Sequence, residues 1–91
     1  NLFLVRRSLL MSIRVLFFAA LADITGTREA ELEAEACLDV ASVYARLIDT
    51  YPQLGALRPS VLCALNSEFA GPESLVRDGD EIAFFPPVSG G

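Results

Sequence analysis

The chain has 91 residues, of which 53% are apolar and 21% are charged, and its formal net charge is −5. This size and composition predict one small globular domain with a modest core and no large substrate cleft. The acidic balance argues against nucleic acid as a partner, because binding phosphate requires a basic patch. The sequence contains no histidine and no lysine, so it lacks the usual general base at neutral pH and the amine of Schiff-base chemistry.

The N-terminal segment 1–10 does not share the regular pattern that follows it. Its two arginines come after an apolar stretch instead of before it, which is the wrong order for a signal peptide. We interpret this segment as an extension derived from upstream sequence or from the expression vector. A folded domain is predicted over 11–87, followed by a C-terminal tail over 88–91.

The two cysteines, Cys37 and Cys63, form no C-x-x-C pair. Both are interpreted as small hydrophobic residues and not as metal ligands or relay thiols. No segment is long and apolar enough to span a membrane. Because unpaired thiols persist in reducing compartments, a cytoplasmic location is expected.

Two strands are predicted in the first third of the chain. Residues 13–18 are rich in β-branched and aromatic side chains, which favour a strand. A loop with Gly26 as its turn residue is expected over 19–26. Residues 27–34 alternate between apolar side chains and glutamates, which predicts a half-buried strand with one acidic face.

A single long helix is predicted next. Asp39 is a suitable N-cap, and apolar residues over 40–51 recur at helical spacing. Pro52 is expected to end the helix.

The second half of the chain predicts a return of strands. A loop is expected over 53–60, a third strand over 61–65 and a short extended piece around Phe69. Residues 77–80 read RDGD, a strong turn signal, and the last strand is predicted over 81–85.

The resulting order, β-β-α-β-β-β, indicates an α+β fold with a mixed sheet and one main helix packed on one face. The β-grasp (ubiquitin-like) fold has this order, with the first and last strands adjacent at the centre of the sheet. One face of those strands would then expose Leu16, Phe18 and Phe85 together, which is typical of a protein–protein interface. The alternative is that loops or segment 1–10 cover this face.

The sequence ends in FFPPVSGG over residues 84–91. Pro86 and Pro87 cannot donate a backbone hydrogen bond and favour an extended, semi-rigid segment. Glycine lacks a Cβ, so Gly90 and Gly91 could pass through a narrow channel. Four extended residues would span about 13 Å, enough to bring a terminal carboxylate into another protein's active site. The alternative is an ordinary frayed terminus that happens to end in glycine.

Three blocks resemble the MoaD family, the small sulfur-carrier subunits of molybdopterin synthase. They are IRVLFFA at 13–19, Leu65-Asn66, and DGDEIAFFPPVSGG at 78–91. The resemblance covers about 11–91, with Ala22-Asp23 standing where family members often carry an arginine. It implies that an E1-like adenylyltransferase activates the Gly91 carboxylate with ATP and that sulfur then gives a thiocarboxylate.

The same resemblance implies that a MoaE-like large subunit receives the tail in a heterotetramer. Sulfur would pass there to cyclic pyranopterin monophosphate, forming the molybdopterin dithiolene. No cofactor is expected on this chain, ATP being used by the activating partner, and the catalytic groups are expected on the large subunit. The implied residues are Gly90 and Gly91 for the sulfur chemistry, and Leu16, Phe18, Phe85, Pro86, Pro87, Val88 and Ser89 for partner binding.

Three other functions share these features. A ubiquitin-like protein modifier would join Gly91 to lysines of target proteins. A thiamin-type sulfur carrier would use the same terminal chemistry for another product. A plain β-grasp binding module would need no chemistry at the tail.

Overall fold

The computed structural model describes residues 10–34, 38–57 and 61–87. The strands in chain order are β1 (Met11–Phe17), β2 (Glu29–Ala34), β3 (Leu38–Asp39), β4 (Leu62–Leu65), β5 (Glu68–Ala70), β6 (Leu75–Val76) and β7 (Glu81–Phe85). The helices are α1 (Ala20–Thr25), α2 (Val40–Thr50) and a 3₁₀ helix at Pro52–Leu57.

Five strands form one mixed sheet in the order β2-β1-β7-β4-β5. The adjacent interior strands β1 and β7 run parallel, and every other neighbouring pair in this sheet is antiparallel. The predicted α+β architecture is therefore confirmed, including the adjacent first and last strands. The two-residue strands β3 and β6 form a separate antiparallel pair that the sequence pattern did not predict.

The core lies on one face of the sheet only. Ile13, Val15 and Phe17 of β1 alternate with polar or partly exposed neighbours, so all three point toward α2. Phe84 of β7 joins them, and its ring meets that of Tyr44 edge-on with 5.2 Å between the ring centroids. The buried Tyr44 hydroxyl donates a 2.7 Å hydrogen bond to the Leu54 carbonyl, tying α2 to the 3₁₀ helix.

The start of α2 agrees with its prediction. The Asp39 carboxylate accepts a 2.8 Å hydrogen bond from the backbone N–H of Ser42, which makes Asp39 the N-cap. Hydrogen bonds from the Ser42 side chain and from its backbone N–H favour the ionised carboxylate, so together they hold the pKa of Asp39 below its ordinary value. The helix ends at Thr50, two residues before Pro52.

Two predicted loops instead contain short helices. Segment 19–26 holds α1, where Leu21 is fully buried and Gly26 closes the C-terminus at φ 77°. Gly26 is thus a turn residue, as predicted, but at a helix end. The described part of loop 53–60 is a 3₁₀ helix anchored by buried Leu54. Each element is only six residues long, too short for apolar periodicity to reveal it.

Several predicted features lie outside the described residues. They are most of the extension 1–10, Cys37, and the tail residues Val88, Ser89, Gly90 and Gly91. Within the described part of the chain, no helix has the length and apolar character needed to cross a membrane.

Candidate functional site

The face of the sheet opposite the core carries no helix among the described residues. The register aligns Leu16 of β1 with Ala83 of β7, and Ala83 with Ala64 of β4. These side chains point away from α2, because successive residues of a strand face opposite sides of the sheet. We call this side the open face.

One half of the open face is apolar. Its side chains surround a shallow depression of about 250 Å³, and we define them as the apolar patch: Leu16, Phe18, Ala64, Phe69, Ala83 and Phe85. The rings of Phe18 and Phe85 stack with centroids 4.8 Å apart and an interplanar angle of 10°. Phe18 is 42% exposed and Phe69 is 83% exposed. Large apolar side chains clustered at a surface in this way mark a protein-binding site.

The three patch residues named from the sequence are brought together. They lie on the same uncovered face, as predicted, but Phe18 is exposed while Leu16 and Phe85 are half-buried. No described segment covers it. The part that these side chains play in binding a partner stays a prediction.

Phe69 is the patch residue that the sequence pattern did not reveal. It lies on β5, which pairs with β4 through a two-residue turn at Asn66-Ser67. Both turn residues have positive φ, 50° and 73°, the conformation of tight hairpin turns. That turn sets Ala64 opposite Phe69, so Phe69 falls on the open face. Recognising Asn66 as the first turn residue of a two-residue hairpin would have supplied this register.

The chain leaves the sheet beside the apolar patch. The Phe18 N–H donates a 3.1 Å hydrogen bond to the Phe84 carbonyl, which holds the end of β7 against β1. Pro86 and Pro87 follow with no N–H to continue the ladder. Pro86 is half-buried and Pro87 is exposed, so the segment that precedes the tail turns away from the sheet next to Phe85.

The other half of the open face is polar. The Arg14 guanidinium donates to both carboxylate oxygens of Glu29 at 2.9 and 3.0 Å and lies 3.8 Å from Glu81. The Ser12 hydroxyl donates to Glu31 at 2.9 Å. All these groups are partly or largely exposed, so they form a charged surface continuous with the apolar patch.

The DGD block at 78–80 has a structural task at the start of β7. Asp78 accepts a 2.7 Å hydrogen bond from the Ser12 N–H. Asp80 accepts hydrogen bonds from the Asn66 side-chain amide at 3.0 Å and from the Arg77 N–H at 2.7 Å. The turn therefore fastens the start of β7 to β1 and to the β4–β5 hairpin.

Cys63 lies on the covered side of the sheet, opposite Phe84 in the β4–β7 register. It lines an apolar cavity of about 460 Å³ between α2 and the β4–β5 edge. Burial raises the pKa of its thiol, which keeps it protonated at neutral pH and poorly nucleophilic. Within 10–34, 38–57 and 61–87, no three side chains of the metal-binding types are placed to hold an ion.

Comparison with known proteins agrees with this geometry. The model of the ThiS family matches residues 15–91, which is most of the chain and includes the whole apolar patch.

The chain belongs to the ThiS family.

Relatives in this family are similar over nearly their whole length. The chain is 34% identical over 83 residues to the molybdopterin synthase sulfur carrier subunit of Chlamydomonas reinhardtii, covering 89% of this chain and 100% of the relative. It is 39% identical over 84 residues to the subunit of the same name from Haemophilus influenzae, covering 87% and 99%. These two relatives come from a green alga and a bacterium, so the match is not limited to one lineage.

A solved structure with this ThiS-family fold is that of the small archaeal modifier protein 1 from Methanosarcina acetivorans. It superposes with a TM-score of 0.75 at 31% identity, covering 90% of this chain and 98% of the other. The β-grasp fold assigned from the sequence is thereby confirmed.

Proposed function

We propose that this ThiS-family chain is the sulfur carrier subunit of a molybdopterin synthase, with the carboxylate of Gly91 as the group that carries sulfur. The observation that supports this most directly is the stacked Phe18–Phe85 pair on the uncovered face, one residue before Pro86. The apolar patch lies next to the point where the chain leaves the sheet. This arrangement suits a protein that binds a partner and inserts its C-terminus into the partner's active site. The names of the two relatives given above support the choice of pathway.

The first step is activation of the terminus. A carboxylate is a poor acceptor for sulfur because its oxygen is a poor leaving group. An E1-like adenylyltransferase joins the Gly91 carboxylate to AMP and releases pyrophosphate from ATP. A sulfur nucleophile then attacks the acyl carbon, the bond to AMP breaks, and a thiocarboxylate remains. Glycine leaves that acyl carbon unhindered.

The second step takes place in the large subunit. The apolar patch docks there while the tail enters its active site, and the thiocarboxylate passes its sulfur to cyclic pyranopterin monophosphate. The sequence holds no histidine, so groups of the large subunit are expected to carry out the proton transfers. What the described residues contribute is the docking face and the position from which the tail departs.

An intact-mass measurement tests the carrier chemistry. The mass of the purified protein is measured by mass spectrometry before and after incubation with ATP, a sulfur source and the E1-like enzyme of the same organism. The expected result is a gain equal to the exchange of one oxygen for sulfur. The matched control is the chain without Gly91, which should keep the fold and show no gain.

Other outcomes would overturn the proposal. No gain with an E1-like enzyme that loads a known carrier would leave a binding module without terminal chemistry. A covalent conjugate with a second protein would indicate a modifier, in line with the likeness to the archaeal protein. A loaded chain that gives no molybdopterin with the large subunit would indicate a carrier for another sulfur pathway.

A further inference from the structure

The charges on the open face are arranged on one side of the apolar patch. The second strand places three glutamates on this face, which we call the acidic strip: Glu29, Glu31 and Glu33. The register sets Glu29 opposite Leu16, Glu31 opposite Arg14 and Glu33 opposite Ser12. The acidic strip is therefore continuous with the apolar patch through the Glu29–Leu16 pair.

The positive charge of Arg14 does not neutralise the acidic strip. Arg14 is held by both oxygens of Glu29 and approaches Glu81. Its positive charge is already matched within the chain by two carboxylates. Glu31 lies opposite Arg14 in the register and accepts a hydrogen bond from the neutral Ser12 hydroxyl. Because the glutamates on this part of the face outnumber its one arginine, the β2 side presents net negative charge.

The opposite side of the patch is different. There β5 presents Phe69, which is 83% exposed, next to the neutral Ser67. The charged residue that lines the depression, Glu81, lies on β7 within 3.8 Å of Arg14. The open face is therefore asymmetric in charge, because its border at β2 is acidic and its border at β5 is apolar. A partner that covers it must match both borders.

We propose that the partner seated on the apolar patch carries arginine or lysine side chains opposite the acidic strip, and an uncharged surface opposite Phe69. This rests on the proposed function, since the large subunit is taken as the partner. Rim charges of opposite sign accelerate association and fix the orientation of two surfaces. The acidic strip would therefore set the orientation in which the tail meets the partner's active site.

A charge-reversal pair tests the assignment. In one variant Glu31→Lys and Glu33→Lys are combined; both side chains are exposed and outside the apolar patch. The matched control combines Asp49→Lys on α2 and Glu73→Lys, which are also exposed and change the net charge equally but lie off the open face. Binding to the large subunit of the same organism is measured by surface plasmon resonance at low and at high ionic strength.

The strip variant is expected to associate about tenfold more slowly than the wild type at low ionic strength. The difference should shrink at high ionic strength, because salt screens exposed charges. The control should stay within about twofold of the wild type at both. Equal behaviour of the two variants would overturn the assignment and leave the proposed function in place. If the wild-type chain itself failed to bind the large subunit, both would be overturned.

Discussion

The two faces of the central strands use similar side chains for opposite purposes. Phe17 and Phe84 are 2% and 1% exposed and pack against the helices, whereas the next residues along the chain, Phe18 and Phe85, lie on the open face. One step along the chain moves a phenylalanine from the core to the surface. An aromatic residue in a strand therefore reveals its role only when the face of the sheet on which it lies is known.

Removing a buried aromatic ring from the covered face should destabilise the fold. Phe84→Ala deletes a fully buried side chain that contacts Tyr44, and it should lower the free energy of unfolding by about 3–5 kcal/mol. That is a large part of the 5–15 kcal/mol or so that stabilises a small domain. Urea unfolding followed by circular dichroism measures the loss. Phe85→Ala is the matched control on the open face. A similar decrease in the free energy of unfolding in both variants would contradict the assignment of Phe84 to the core and Phe85 to the surface.

A charge introduced into the apolar patch should weaken binding to the large subunit without destabilising the fold. Phe85→Arg places a guanidinium at the centre of the apolar patch, where docking would bury it without a counter-charge. Affinity for the large subunit should fall about a hundredfold or more, as measured by calorimetry. The melting temperature should change little, since Phe85 is outside the core cluster.

The control for that variant is Leu75→Arg, because Leu75 is 62% exposed and is not part of the patch. It makes the same kind of change elsewhere on the surface and should leave affinity near that of the wild type. Unchanged affinity in Phe85→Arg would show that the patch is placed wrongly, and reduced affinity in Leu75→Arg would show that added positive charge alone weakens binding.

A smaller effect is expected at the start of α2, on the covered side. Asp39→Ala removes the cap, and the melting temperature should fall by a few degrees at pH 7. Because the folded pKa of Asp39 is lowered, its charged cap stabilises the fold fully above the unfolded pKa of about 3.9. The benefit is lost as the pH falls through the folded pKa, so the difference between wild type and variant should narrow below about pH 4.

Asp39→Ser distinguishes the contribution of the capping hydrogen bond from that of the negative charge. Serine keeps an oxygen acceptor for the cap but does not titrate in this pH range. The melting temperature of this variant should lie between those of the wild type and Asp39→Ala. Thermal scans from pH 3 to pH 7 measure all three proteins. A difference between wild type and Asp39→Ala that stayed constant with pH would mean that the carboxylate charge contributes nothing.

The fold was largely predictable because its main signals are local and repeated. Alternation in β1, β2 and β7 gave the strands, and the Asp39 cap with its apolar stripe gave α2. Leu16, Phe18 and Phe85 followed from the same alternation once β1 and β7 were placed side by side. The helix α1 was missed because six residues are too few to show helical periodicity, although Leu21, Ala22 and Ile24 contribute to the core.

The rest of the patch depended on information that no single strand contains. Phe69 reaches the open face through the register of the β4–β5 hairpin, which two positive-φ turn residues set. The ion pair between Arg14 and Glu29 likewise depends on the pairing of β1 with β2. Pairing between strands is fixed by the whole sheet, so reading one strand at a time cannot supply it.

The position of β2 has a consequence for the protein before it meets any partner. As an edge strand, β2 has backbone groups on one side that could pair with a second copy of the chain. Two copies aligned through this edge would bring their glutamate rows together, and like charges would repel. Repulsion between these glutamates therefore disfavours pairing of two copies of the chain edge to edge through β2.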